Sequence, residues 1–317
     1  MVRKTNQNIT WQLILDSYFS FKTLRPTSRY NYERYVRIFS RLFNEDFTNI
    51  NMLDKNKVSS FRIFFLTERN CKIVTWNSYC RHFKALISFA IKYDMVSYKN
   101  NPFSEMLIKP GKKAKKTITE SDIDFCINYL KDKQCDEKLK DYYYPCQFWL
   151  TLINVLRSTG IRRNQLLHIR IKDINYARKT LFLREEGSKN YYERELPLID
   201  DVFDDVVELK NQLMKMGKKP IMQLFNIYHF KNNRSDNYKE MDFNRISSFF
   251  QKLSVDLSIR ITPHRFRHTL ATNLMKNPER NLTLVKELLG HASVTTTMEY
   301  IESDVEHLRK CLKEHFN

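Results

Sequence analysis

The segment Lys109-Pro-Gly-Lys-Lys-Ala-Lys-Lys116 constrains the fold of this chain more than any other. Pro-Gly punctuation interrupts regular structure, and the four lysines that follow offer no apolar face to bury. A chain of 317 residues broken there must bury two separate cores, and both parts are long enough to do so. The sequence therefore predicts domains at 1–108 and 117–317 with a basic linker at 109–116. A flexible cationic linker suits passage along a phosphate backbone.

Charge points the same way. The chain carries a formal +18 and a pI near 9.5, an excess that calls for a polyanionic partner. The excess is uneven: residues 1–116 hold 22 Lys and Arg against 8 Asp and Glu, net +14, whereas 117–317 hold 32 against 28, net +4. The first third is thus the expected DNA-tracking surface. No apolar run approaches bilayer length, and MVRKTNQNIT lacks the apolar core of a secretory signal, so the expectation is a cytoplasmic protein without a membrane partner. The cysteines at 71, 80, 126, 135, 146 and 311 form no CxxC pair and have no His at metal-ligand spacing, so no metal site is expected.

Residues 10–94 carry four helix-length patterns, near 10–22, 27–44, 54–69 and 73–94. The second places Arg34, Arg37 and Arg41 on one face, with Tyr35, Ile38 and Leu42 on another. The fourth repeats the scheme, with Asn77, Arg81, Lys84 and Ser88 opposite Trp76, Tyr79, Phe83 and Leu86. Each helix can bury aromatics and present cations outward. Arg34, Arg37, Arg41, Arg81 and Lys84, with linker residues Lys112, Lys113, Lys115 and Lys116, are the candidate DNA contacts. A single such face is more often merely solvated; two in a +14 segment favour DNA. Beyond the linker, Ile118-Thr-Glu-Ser-Asp reads as a capped helix start. A long apolar helix spans about 142–158, and 180–183 and 194–198 read as short strands.

The last sixty residues hold the chemistry. PHRFRHTLATNLMKN and LTLVKELLGHASVTTTMEY place His264, Arg267, His291 and Tyr300 on short helical segments. Arg offers a forked, permanently charged donor to phosphate oxygens, His moves a proton near neutral pH, and Tyr can act as a covalent nucleophile. No carboxylate pair for holding Mg²⁺ is evident. The set suits metal-free phosphoryl transfer on DNA, with no cofactor.

Ser158-Thr-Gly-Ile-Arg162-Arg-Asn-Gln-Leu166, then His264-Arg-Phe-Arg267-His268-Thr269, then Leu288-Leu-Gly-His291 with Tyr300 nine residues on, together resemble the three boxes of the tyrosine recombinase (phage integrase) family. The resemblance covers 117–317 and extends more loosely to the N-terminal half. It implies a fold that is mainly α with a small antiparallel sheet (α+β), a two-domain clamp of helical core-binding domain and catalytic domain. It also implies roles. Arg162 and Arg267 would clamp the scissile phosphate, and Tyr300 would attack it to give a 3′-phosphotyrosine. His264 would assist proton transfer, His291 would bind phosphate, and Lys189, between the two strands, would protonate the leaving 5′ oxygen. Lys172 and Lys179 are less well placed, and His268 is expected to pack. The family commonly has an acid where this chain has Gln165.

The implied function is site-specific recombination or integration of double-stranded DNA core sites, as on a mobile element, without metal or ATP. A homotetramer would form by exchange of the amphipathic tail 301–317, with Val305, Leu308 and Leu312 on one face. The alternative is a type IB topoisomerase-like strand transferase. About ten residues before the first helix leave little for an arm-binding domain, which favours simple inverted-repeat sites.

Overall fold

The computed structural model describes residues 9–48, 50–111, 116–134, 142–188, 192–230, 239–276 and 278–300. The chain divides into two compact units, Met1–Lys113 and Ala114–Asn317, each with its own apolar core. Among the described residues no helix is long and apolar enough to cross a membrane.

Unit one is built from α1 (Trp11–Phe21), α2 (Pro26–Thr48), α3 (Lys55–Leu66) and α4 (Ile73–Lys92). Starts are set by short polar caps: Thr10 Oγ1 accepts from Leu13 N, and Asp54 Oδ1 accepts from Lys57 N at 2.7 Å. The α4 apolar residues fill the core as their spacing predicts, with Trp76, Tyr79, Phe83 and Leu86 all buried. Phe83 stacks on Phe103 at 5.2 Å and meets Trp11 edge-on at 5.1 Å.

Two expectations for these helices change. On α2 the deepest residues are Val36 and Phe39, with Tyr35 and Ile38 only half-buried, so the stripe is rotated by about one position. The side chain of Leu42 lies outside what the structure describes. On α4, Asn77 is not part of a polar face but buried, its amide donating to Ile108 O (2.7 Å) and its carbonyl accepting from Ile108 N (3.0 Å). With Trp76 Nε1 bonded to Met106 O, it straps the chain leaving the unit onto α4. The cationic rows stand: Arg34, Arg37, Arg41, Arg81 and Lys84 are exposed.

Unit two surrounds α6 (Cys146–Thr159), which packs against α5 (Glu120–Gln134), α8 (Asp200–Lys215) and α10 (Pro263–Leu274). Apolar residues lie nearly all round α6, from Phe148 to Leu156, as a central helix requires. Trp149 lies flat on Phe249 of α9 (Phe243–Asp256), centroids 3.8 Å apart. The helix starts at Cys146 rather than Tyr142 because Pro145 disfavours helical backbone in the residue before it. It ends at Gly160, whose φ of +59° closes the turn through a bond from its N–H to Leu156 O.

After α7 (Arg163–His168) comes a three-stranded antiparallel sheet, β1 (Ile174–Asn175), β2 (Thr180–Leu183) and β3 (Arg194–Pro197). The two-residue β1 went unread in the sequence because it is too short to show alternation. Leu183 pairs with Arg194 and Leu181 with Leu196, and the leucines face the core. Helices α11 (Pro278–Leu289) and α12 (Val294–Met298) complete the unit.

Trp149→Ala removes a fully buried indole from this core and is expected to lower stability by about 3–5 kcal/mol. Urea unfolding monitored by circular dichroism measures it; a loss below about 1 kcal/mol would mean the α6–α9 stack is not the keystone.

Candidate active site

The turn after α6 delivers Arg162, the N-cap of α7. Its backbone N–H donates to Gln165 Oε1 at 3.4 Å. The buried Gln165 amide therefore positions the Arg162 backbone; no bond from it to the guanidinium is seen among the described residues. The guanidinium instead crosses to the end of α11, where Nη1 donates to Leu289 O (3.0 Å) and Gly290 O (3.3 Å).

Arg267 reaches the same turn from α10, a helix fixed by Thr262 as N-cap and Pro263 in its first turn. Only 4% exposed, it donates to Gly160 O (2.8 Å) and to Leu289 O (2.9 Å). Its Nη2 also lies 2.9 Å from His291 Nε2. Since a guanidinium only donates, Nε2 presents its lone pair and the ring proton sits on Nδ1, facing Thr297 Oγ1 at 2.9 Å. The network thus fixes one neutral tautomer of His291.

Tyr300 follows α12 and is itself buried, at 5% exposure. It belongs to a small apolar cluster with Ala271, Met275, Val285 and Leu289, separate from the main core. Its ring is parallel to that of His291 at 6.0 Å and lies 5.5 Å from that of His268. Its phenol acts electrostatically on both Arg267 and Arg162, favouring the charged form of each guanidinium. Arg162, Arg267, His291 and Tyr300 are therefore gathered at one place.

His264 stands at the rim of that place, its ring 6.1 Å from His268. Partial burial, then the charges of Arg163, Arg267 and Arg162, hold its proton affinity below the ordinary imidazole value. Burial, then the neighbouring Arg162, pulls Arg267 down to about 9, opposed by the phenol of Tyr300. Burial likewise lowers Arg162. No carboxylate pairs with Arg162 or Arg267 among the described residues.

Of the remaining sequence candidates, Lys189, Lys112, Lys113 and Lys115 lie outside the described residues, as does the tail 301–317. Lys116 is exposed. Lys179 is engaged with Asp200 at 2.7 Å. His268 packs as expected, its ring against Tyr300. The structure adds residues that the sequence left out. Thr297 is the fully buried partner of His291. Arg194 enters from β3 and donates to Glu287 O. Alternation was its available signal, since 194 shares parity with the inward Leu196.

Because Arg163 depresses His264, Arg163→Gln is expected to move the His264 titration upward, back toward about 6.5. The sign follows for stability: the native imidazole refuses a proton that the unfolded chain accepts, so wild-type stability falls as pH drops through the ordinary imidazole value, and the variant loses less. A pH series of His264 ring-proton NMR shifts measures this; an unmoved midpoint would show Arg163 does not act on that ring.

Residues 116–307 match the family model described as Phage integrase family. A Pseudomonas aeruginosa protein carrying the name tyrosine recombinase XerC is 32% identical over 310 residues, 96% of this chain and 71% of that protein. A Pseudomonas syringae protein of the same name is 30% identical over 308 residues, 95% of this chain and 63% of that one. Among solved structures, a Tn1549 transposon integrase in complex with transposon right end DNA superposes with a TM-score of 0.75 at 17% identity, covering 97% of this chain and 99% of that one. A lambda integrase dimer bound to a COC' core site gives 0.67 at 15% identity, covering 93% and 77%. The fold is the same mainly helical arrangement with a small antiparallel sheet, and the chain belongs to the phage integrase, or tyrosine recombinase, family.

Proposed function

We propose that this chain is a site-specific DNA recombinase that cuts and rejoins strands through a phosphotyrosine on Tyr300, using neither metal nor ATP. The observation that carries the proposal is Tyr300 seated beside His291, itself 2.9 Å from Arg267, and within the fields of Arg267 and Arg162, in one unit of one chain. Two guanidiniums without a carboxylate partner among the described residues form a positive pocket awaiting an anion.

In the proposed reaction the Tyr300 oxygen attacks the scissile phosphorus while Arg162 and Arg267 hold the non-bridging oxygens. The O–P bond to tyrosine forms and the bond to the 5′ oxygen breaks. His264, its proton affinity lowered by burial and then by its cationic neighbours, takes the phenolic proton or bonds a phosphate oxygen. Lys189 gives the leaving oxygen its proton. The phosphodiester's energy is kept in the tyrosyl ester, so the reverse step needs no nucleotide. His291, whose lone pair faces Arg267, orients that clamp and meets phosphate once the clamp turns toward DNA.

The helical segment 1–108 serves as the core-binding domain, its exposed rows Arg34, Arg37, Arg41 and Arg81, Lys84 meeting the duplex backbone. Linker residues Lys112, Lys113, Lys115 and Lys116 cross the phosphates. Four protomers, linked by the tail 301–317, synapse two core sites in the cytoplasm, as for an integrating mobile element. Support comes from the relatives' name and from the solved integrases, among them a lambda integrase tetramer bound to a Holliday junction.

Tyr300→Phe is expected to bind DNA as wild type yet form no covalent adduct on nicked suicide duplexes drawn from the DNA flanking its gene. Adduct formation by the variant would reassign the nucleophile. Wild-type cleavage is expected to persist in EDTA, and loss of all cleavage there would contradict the mechanism. Relaxation of plasmids lacking any paired site, without recombination of plasmids that carry them, would favour the topoisomerase-like alternative.

A further inference from the structure

Arg194 is a partly buried cation that the proposed reaction leaves unused. One corner of its guanidinium is anchored, Nη1 donating to Glu287 O at 2.5 Å in the last turn of α11. Its Nε and Nη2, the two donors along one edge, are buried and have no acceptor among the described residues. No carboxylate neutralises it among those residues either, and burial, then Arg162, brings its pKa down only to about 10, so the charge persists at neutral pH.

The neighbours of that edge are informative. Gly290 has a left-handed φ of +62°, and a Cβ there would lie 3.3 Å from Arg194 Nε and 3.5 Å from Nη2. The same Gly290 gives its carbonyl to Arg162 at 3.3 Å. Two guanidiniums thus grip one side-chain-free turn, and that turn leads into His291. Arg194 also lines a cavity of about 820 Å³ shared with Gln165, Ser188, Tyr192, Lys286 and His291.

Parallel N–H groups on one guanidinium edge are the fork that accepts two phosphate oxygens side by side. A partly buried cation whose fork is buried and empty, with no counter-ion among the described residues, is an incomplete site. We propose that Arg194 is a third phosphate clamp, its Nε/Nη2 edge taking a DNA backbone phosphate beside the one held by Arg162 and Arg267. The proposal rests on the DNA-recombinase function proposed above. Entry of the phosphate requires the Gly290–His291 turn to move off the edge, which is closed to water in the present arrangement.

The salt dependence of DNA binding tests it without knowledge of the target site. Full-length wild type, Arg194→Gln, Arg194→Lys and Arg162→Gln are titrated onto a short duplex of arbitrary sequence over a series of salt concentrations. Each phosphate contact contributes about 0.9 to the slope of log affinity against log salt. Arg194→Gln is expected to lower the slope by about that much, and Arg194→Lys to recover it while binding more weakly than wild type. An unchanged slope in Arg194→Gln, with a reduced melting temperature and a lowered slope in Arg162→Gln, would make Arg194 only a brace for α11 and overturn the proposal alone. Unchanged slopes in both glutamine variants would overturn it together with the phosphate-binding function of the site.

Discussion

The carbonyl of Leu289 accepts from two guanidiniums at once, Arg162 at 3.0 Å and Arg267 at 2.9 Å, and the arrangement of the site depends on that shared acceptor. Arg162 comes from the end of α6 and Arg267 from α10, so elements distant in sequence converge on one turn of backbone. A carbonyl satisfies a guanidinium's hydrogen bonds while leaving its charge uncompensated. A carboxylate would satisfy both and quench the site. Holding cations by neutral dipoles keeps them ordered and still wanting an anion, which is what a phosphate-handling centre requires.

This choice has structural costs that are met nearby. Burial pushes Arg267 down to about 9, and the mutual repulsion of Arg162 and Arg267 works in the same direction. The scaffold tolerates this because α6 and α10 pack directly and because Gly160, whose carbonyl also takes Arg267, ends α6 in a conformation only glycine adopts freely. A Cβ at 160 would sit 3.0 Å from Leu289 Cδ2, so the ends of α6 and α11 are in contact with no slack. Gln165 fits the same logic, since a neutral amide fixes the Arg162 backbone without adding negative charge.

The parts of this site that were legible from sequence are those whose geometry is local. His264 and Arg267 lie three residues apart on one helix, and Thr262-Pro263 announces where that helix begins, so their shared face follows from the helical repeat alone. The Thr-Gly before Arg162 likewise fixes a turn. What was not legible depends on tertiary facts. Alternation puts Arg194 on the same side as Leu196, but that this side faces the α11 turn is decided by tertiary packing, seen in the bond from Arg194 to Glu287 O. Asn77 looked like surface because polar residues usually are; only the returning chain at Ile108 gives its amide partners. Thr297 is one of three consecutive threonines, and nothing local distinguishes the one that meets His291. The alternation of apolar and cationic positions on α2 gave the right exposed arginines but the wrong inner stripe, because a stripe one position over satisfies nearly the same periodicity.

The seating of Tyr300 has a further consequence. Its ring shares a satellite cluster with Ala271, Met275, Val285 and Leu289 rather than the core around α6, and the helix before it has five residues. Opening that cluster exposes a handful of side chains and breaks few backbone bonds, whereas opening the α6 core unfolds the unit. Tyr300 is mounted like a drawer in a cabinet: withdrawing it costs far less than opening the frame around α6.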